Sequence, residues 1–391
     1  MRILFIHEVN YLTKPIYEMH EFPEHLAAMG HKVAFWHFPE GMTKHQVSEL
    51  GWKKVIPGRV MPDSEITLYT PQNSTGSLLG RLKTACLATR TARTVIRDFE
   101  PDLVVSFSVP TSGWQALRVA KSLGVPYLFR ALDVSHKIRK GIFQKLIYWA
   151  ERYVYRKADW VSCNNPAMAE YCKSMGALPR STSVDWPPID FGKFAKRSSS
   201  KELRYQLGIP SDAKVLLYMG SFFYFSGLPQ AIKRFAEISS SEYLVLVGGG
   251  EQDSELRDLV RELKIEDRVL FTGFVPFAQL GDYLTVADVA LNTMERSIVS
   301  NAAIPNKVIQ YLATGLRVIS TRLDGLASSF PDTSSLAFAE NPSGVIDLAL
   351  ERVRRESNAP SGAKLQDLDK FKLEIALPAF EERCRLVARN D

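Results

Sequence analysis

The stretch that decides the fold is IPNKVIQYLATGLRVIS, Ile304 to Ser320. Its first half spaces apolar residues at helical intervals. Val308, Ile309, Leu312 and Ala313 fall on one face, and Lys307, Gln310 and Thr314, at i, i+3 and i+7, fall on the other. Pro305 suits the first helical position, where its missing N–H costs nothing, and Gly315 ends the helix. The apolar run RVIST at 317–321 then reads as a buried strand. The polar face opens with the free backbone N–H groups of Asn306 and Lys307 and with the Lys307 cation, a combination suited to phosphate. Gln310, one turn in, suits neutral hydroxyls such as those of a ribose. No acid lies on this face, and a solvated helix face bearing one lysine fits the same residues.

Outward from this helix the same alternation repeats. VLLYM at 215–219, YLVLVG at 243–248, RVLFTG at 268–273 and DVALN at 288–292 read as strands, separated by helices near 228–239, 253–264 and 277–286. Earlier come strands at 2–6, 32–37, 103–107, 126–130 and 160–163, with helices near 16–29, 112–123, 138–157 and 165–175. Short apolar runs between helical periods indicate parallel strands with crossover helices. The stretch GKFAKRSSSK, 192–201, makes a poor core and reads as a linker. The pattern predicts two doubly wound domains, 1–188 and 201–368, and a last helix within 369–391.

The bulk numbers agree with two domains, because 391 residues exceed what one core usually serves. No window reaches the ~18 uninterrupted apolar residues of a membrane span. The start, MRILFIHEVNY, reads as a first strand rather than a signal peptide, so a cytoplasmic protein is expected. Cys86, Cys163, Cys172 and Cys384 lack metal-ligand spacing and read as reduced thiols. The net charge of +6 is uneven: residues 1–190 hold 24 Lys+Arg against 17 Asp+Glu, or +7, and the remainder is −1. The first half is thus expected to meet an anionic ligand or surface.

Two basic stretches lie in that half. GRLKTACLATRTARTVIR, 80–97, has Arg90, Arg93 and Arg97 as a stripe. HKIRKGIFQKLIYWAERYVYRK, 136–157, interleaves its basic residues with Ile142, Phe143, Leu146, Ile147, Trp149 and Tyr153, and holds one acid, Glu151. They read either as core helices with basic outer faces or as docking helices for anionic lipid headgroups. No nucleic-acid reader module accompanies the charge.

Taken in order, LLYMGS…G, LVLVGGGEQDSELRDLVRELKIEDRVLFTGFVPFAQLGDYLTVADVALN and IPNKVIQYLATGLRVIS resemble the donor-binding domain of the retaining family 4 glycosyltransferases, which have the GT-B fold. HEFPEHLAAMGHKVAFW, LRVAKSLGVPYLFRALD and CNNPAMAEYCKSMGA resemble the family's first domain more loosely. The resemblance implies two Rossmann-like domains facing a cleft, with the final helix crossing back to the first. It implies a nucleoside diphosphate sugar as donor, a glycan or lipid-linked acceptor, retention of configuration, and neither cofactor nor metal. The donor is then expected along Gly220, Ser221, Ser226, Gly249, Asn306, Lys307 and Gln310, with the nucleobase near Phe274 and Val275. Asp133, His7 and Lys307 are the residues expected to act in catalysis. Glu8, Asn10, Tyr11 and His136 are expected on the acceptor side, although His136 beside KIRKG also reads as solvated. A cytoplasmic enzyme of cell-surface polysaccharide or glycolipid synthesis follows, peripheral at the inner membrane face if the basic helices dock there.

The chain departs from the family pattern at four places. Ser221 and Ser226 stand where an arginine and a lysine commonly grip the diphosphate; each such contact contributes ~1.5–3 kcal/mol. Ala302 and Gln310 stand where the paired glutamates fall. Pro-Asn-Lys resembles the variant Pro-Ser-Lys, found in members that also lack the first glutamate. A non-catalytic GT-B subunit that binds a partner or glycan is the alternative reading, and a sugar-nucleotide epimerase is a third.

Overall fold

The computed structural model describes residues 1–72, 78–138, 143–194, 200–276, 279–330, 335–355 and 368–389. The chain forms two compact units. The first comprises Met1–Pro188 with Glu374–Asp391, and the second Ile189–Leu373.

In the first unit, strands β1 (Arg2–Ile6), β2 (Lys32–Trp36), β3 (Lys53–Pro57), β4 (Glu65–Tyr69), β5 (Leu103–Ser106), β6 (Tyr127–Ala131), β7 (Trp160–Cys163) and β8 (Thr182–Val184) make one sheet. Its order is β3-β4-β2-β1-β5-β6-β7-β8. All neighbours are parallel except β3 and β4. The helices are α1 (Glu18–Ala28), α2 (Lys44–Leu50), α3 (Leu78–Phe99), α4 (Gly113–Ser122), α5 (Ser135–Ile138), α6 (Gln144–Lys157) and α7 (Pro166–Ser174). The expected helix over 138–157 is therefore two helices, and residues 139–142, including Ile142, lie outside the described residues. Buried Glu151 of α6 accepts bonds from the Ser135 and His136 N–H groups, His136 Nδ1, and the Tyr155 and Tyr171 hydroxyls, so it caps α5.

The second unit carries α8 (Ser200–Gln206), β9 (Val215–Met219), α9 (Leu228–Ile238), β10 (Tyr243–Val247), α10 (Asp253–Glu262), β11 (Val269–Gly273), α11 (Leu280–Leu284), β12 (Val289–Asn292), α12 (Ile298–Asn301), α13 (Asn306–Ala313), β13 (Arg317–Thr321), α14 (Asp324–Ala327), β14 (Leu336–Ala339) and α15 (Pro342–Arg355). Its sheet is parallel throughout, in the order β11-β10-β9-β12-β13-β14. β9 is an unbroken, fully buried apolar run, VLLYM, as a strand covered on both faces should be. The strand order reverses between β9 and β12, which places a topological switch point at the carboxyl ends of those two strands.

Two boundaries differ from the sequence reading. The turn Phe191–Phe194, read as linker, belongs to the second unit: Phe194 is buried, and the backbone at Lys193 and Phe194 passes close to Gly281 of α11. Residues 195–199, the serine-rich part, lie outside the described residues. The turn Asp369–Phe371 also stays with the second unit, with Phe371 buried and stacked on Phe330 at 5.6 Å. The closing helix α16 (Leu373–Ala388) then packs in the first unit. There Phe380 stacks on Phe22 at 3.9 Å, and His31 meets Glu381 at 2.8 Å.

Candidate functional site

At the switch point of the second unit, backbone crowds against backbone. Gly220, just beyond β9, has φ +135°, and Gly248, just beyond β10, has φ +132°. A Cβ on Gly248 would lie 2.1 Å from the Gly220 carbonyl oxygen, so only glycine fits there. The Gly220 N–H donates to Val247 O and the Phe222 N–H to Gly249 O, both at 2.9 Å. The two loops are thus zipped together beyond their strands.

Over this seam lies α13. Its N-cap is Pro305 (φ −67°, ψ 116°), so the proline sits one residue before the helix and not at its first position. Gly315, at φ +77°, follows the C-cap Thr314. Val308, Ile309 and Leu312 are buried as the pattern predicts, but so is Tyr311. The Tyr311 hydroxyl accepts the Met219 N–H at 2.6 Å, tying α13 to the last residue of β9.

Lys307 reaches back over that strand. Its Nζ sits 3.8 Å from the centre of the Tyr218 ring, and a Cβ on Gly220 would come within 3.1 Å of it. Among the described residues no carboxylate pairs with this ammonium. Burial pushes its pKa down to about 7. The side chain keeps partial solvent access, so an incoming anion can reach it. The Asn306 and Lys307 N–H groups carry no bond among the described residues, as helix geometry requires of a first turn. A poorly solvated cation, two free N–H groups and a backbone seam without side chains together form an anion site.

The other residues expected to hold the donor divide. Gln310 is partly exposed with no bond to its carboxamide among the described residues, as is Asn306. Gly249 lies under the Phe274 ring, whose carbons would approach a Cβ there to 3.0–3.6 Å; Phe274 is 69% exposed, and Val275 half-buried. Ser221 is partly exposed, and its carbonyl accepts the Tyr218 hydroxyl at 3.1 Å. Ser226 corrects the sequence reading. It is buried, its Oγ accepts the Leu228 N–H at the start of α9 and its carbonyl accepts Thr293 Oγ1. Its hydroxyl also lies 3.5 Å from Gln252 Oε1, so the side chain is engaged within the unit. Between Ser221 and Ser226, the side chains of Phe223, Tyr224 and Phe225 are exposed.

The first unit has its own switch point, between β1 and β5, where His7 and Glu8 leave β1. Here the structure corrects the acceptor-side expectations, because all four side chains turn inward. The Glu8 carboxylate accepts from Ser108 Oγ, the Thr111 N–H and Thr111 Oγ1 ahead of α4. Asn10 bridges Glu40 O and the Leu12 N–H, and Tyr11 is buried with its hydroxyl on Glu24. His136 is not solvated but buried, with Nδ1 2.7 Å from Glu151. His7 uses both ring nitrogens: Nδ1 accepts the Glu8 N–H at 2.8 Å and Nε2 lies 2.9 Å from the Tyr17 hydroxyl. Burial, with His20 and Lys14 nearby, lowers its pKa to about 3. It is a fixed neutral ring, unable to take up a proton at neutral pH. Asp133, just beyond β6, keeps open surface and has no hydrogen bond or ion pair among the described residues. Surrounding protein and the Glu18 and Glu151 carboxylates raise its pKa to about 6.

Two family models divide the chain between them. Residues 18–184 match the glycosyl transferase 4-like domain, and residues 213–351 match glycosyl transferases group 1. The chain is a family 4-like glycosyltransferase. The putative teichuronic acid biosynthesis glycosyltransferase TuaC of Bacillus subtilis is 26% identical over 287 residues, 71% of this chain and 69% of its own. Two further relatives are matched over only 53% and 47% of their length. Among solved structures, sucrose-phosphate synthase from Thermosynechococcus elongatus aligns with a TM-score of 0.78 at 17% identity over 100% of both chains. Anabaena HepE in complex with UDP aligns with a TM-score of 0.73 at 17% identity, covering 98% of this chain and 99% of that one. These likenesses establish the GT-B fold.

Sequence reasoning about this glycosyltransferase missed three tyrosines. Tyr218 floors the Lys307 ammonium, Tyr311 fastens α13, and Tyr17 stands against His7. Tyr218 and Tyr311 lie in the stretches that carry the family resemblance, but their roles show only in the packing. The second basic stretch also differs from a core helix with a basic outer face. Ile147, Ala150, Val154 and Tyr155 of α6 are buried, but Leu146 is 59% and Trp149 51% exposed, and Phe143 and Tyr148 are exposed too. Leu79 and Leu82, near the start of α3, are also exposed. Among the described residues no helix is long and apolar enough to cross a membrane.

Proposed function

We propose that this glycosyltransferase transfers a sugar, with retention of configuration, from a nucleoside diphosphate sugar to a glycan or a lipid-linked acceptor. The observation that carries this reading is Lys307, an ammonium without an acidic partner beside Gly220 and the free N–H groups of α13. A diphosphate supplies what that site lacks. In the transition state negative charge gathers on the leaving diphosphate, and a preoriented cation with N–H donors stabilises it more than the ground state. These groups do the work a divalent metal does elsewhere, so activity without added metal is expected. Gln310 then meets the ribose and Phe274 the base. The HepE complex with UDP supports a nucleotide as part of the donor.

Asp133, an exposed acid just beyond β6 without a partner among the described residues, positions the acceptor or the reacting sugar. Cell-surface polysaccharide or glycolipid synthesis is the role favoured by the relatives. The exposed apolar and basic side chains of α3 and α6 favour work at an anionic membrane face. Calorimetry with UDP, GDP and ADP, followed by a thermal-shift screen of nucleotide-sugars with and without EDTA, tests the donor. Binding of none of the three nucleotides removes the proposal.

A further inference from the structure

Lys307 is held in place without a counter-charge, and what holds it is an aromatic face. Tyr218 is the fourth residue of the buried run VLLYM of β9, and its ring lies in the core of the second unit with Leu216, Phe222 and Leu246. The ring is fixed twice. Phe222 lies against it at 6.2 Å, tilted by 50°, and its hydroxyl donates to Ser221 O at 3.1 Å. From α13 the Lys307 Nζ comes to 3.8 Å from the ring centre. So short a distance puts the ammonium over the face, because an approach in the ring plane is stopped by the ring's own hydrogens. The face is the negative side of the ring quadrupole and attracts a cation. On its other side Nζ meets Gly220, where a Cβ would come within 3.1 Å of it.

The contact is between a cation and a neutral ring. Burial raises the Tyr218 pKa, so the phenol stays protonated at neutral pH. Tyr311, one turn further along α13, is held protonated in the same way. Burial is the cause of the lowered Lys307 pKa, and no charged neighbour adds to it. A carboxylate in place of the ring would hold the ammonium too, but it would cancel the charge and compete with an incoming phosphate. A π face takes up no N–H as a directed hydrogen bond, so the three donors of the ammonium remain for an anion. It also favours the charged amine over the neutral one, which opposes the effect of burial. With Ser221 and Ser226 standing where the family pattern has cations, more of the anion binding falls on Lys307.

We infer that Tyr218 is the positioning residue of the donor site: its ring face holds the Lys307 ammonium charged and aimed over Gly220, and its hydroxyl fixes that face through Ser221 O. What Lys307 binds rests on the transferase reading; the contact itself is measured in the protein without ligand.

The test alters the charge distribution of the ring and leaves its size nearly unchanged. Tyr218→Phe is made first, followed by phenylalanines bearing one, two and three fluorines at position 218, which weaken the negative face stepwise. The Lys307 pKa is followed by NMR of its Cε and Nζ in the full-length protein without nucleotide. Tyr218→Phe should titrate close to the wild type, and each fluorine should lower the pKa, by about 0.5–1.5 units over the series. UDP affinity at pH 8, by calorimetry, should fall in the same order, by about 3–30-fold. Tyr218→Phe lacks only the bond to Ser221 O and should bind UDP a few-fold more weakly than the wild type. Tyr218→Leu, which removes the face, should bind tenfold or more weakly than Tyr218→Phe. A Lys307 pKa that ignores fluorination, or a folded Tyr218→Leu protein that binds UDP like the wild type, overturns the inference. If fluorination moves the Lys307 pKa but UDP does not bind the wild type, it is the donor assignment that fails.

Discussion

Lys307 allows the sharpest test, because its charge state changes within the working pH range. Free, the ammonium has a pKa of about 7. Bound against a diphosphate it must be charged, so above pH 7 nucleotide binding has to take up a proton. The last proton of a terminal phosphate leaves near pH ~6, so between pH 7 and 9 the lysine is the group that changes. Charging a group of pKa 7 at pH 9 costs about 2.7 kcal/mol, or about 100-fold in affinity. Water reaching the ammonium moves its pKa toward the ordinary lysine value, so roughly tenfold is the smallest change the argument tolerates. Titration calorimetry of UDP should show affinity highest near pH 7 and falling above it, with proton uptake at pH 8 visible as a dependence of heat on buffer. Lys307→Ala removes a charge-assisted contact of ~1.5–3 kcal/mol. That variant should bind UDP ~10–150-fold more weakly at pH 7, with no further fall to pH 9, and turnover should nearly vanish. If the wild type shows no pH dependence, or Lys307→Ala binds like the wild type, the diphosphate does not lie on Lys307.

Three further outcomes are expected. His20 and His37 fold as neutral rings, with pKa values lowered by burial to about 4 and about 3. A base with a lowered folded pKa leaves the unfolded chain binding more protons below ~6.5, so stability is complete above that pH and drains away below it, by ~2 kcal/mol per ring at pH 5; a Tm unchanged from pH 7 to 5 contradicts this. Tyr311→Phe leaves the buried Met219 N–H without its partner, which should lower stability by ~1–3 kcal/mol in urea titration and weaken UDP as Gly220 shifts under Lys307. Unaltered UDP affinity would show that this tie does not shape the site. The protein should pellet with vesicles rich in anionic lipid at low salt, less so at high salt, and the double variant Leu146→Glu, Trp149→Glu should stay in solution; wild type that ignores such vesicles removes the membrane proposal.

Much of the fold could be read from the chain because parallel strands buried on both faces are written as unbroken apolar runs. β1, β7, β9 and β13 match their expected spans to the residue. What escaped was the periphery. β3 is an edge strand with Lys53 and Lys54 exposed, β4 alternates with polar residues, and β14 is a short LAFA run, so none shows the buried-strand signature. The site was legible where backbone chemistry dictates residue type. The Gly220 seam and the Lys307 end of α13 follow from glycines, a proline and a cation at set spacing. It was illegible where only burial decides the role. Ser226 and Ser221 are the same residue type five apart, but one is buried against the start of α9 and the other borders the anion site. Glu8, Asn10, Tyr11 and His136 are all polar residues near strand ends, and which way each turns depends on partners as far as 104 residues away in the chain, as with Glu8 and Ser112.

The packing of α16 has a consequence for how the protein is made. Its buried Ala376, Leu377, Phe380, Cys384 and Val387 complete the first unit, but Ile189–Leu373 is synthesised before them. At ~5–20 residues per second a ribosome takes on the order of 10–40 s to cross that interval. Throughout it the first unit exists as a nascent fold with Phe22 uncovered, while the second can finish as soon as it emerges. The apolar seat of α16 is therefore where a chaperone would be engaged on the growing chain.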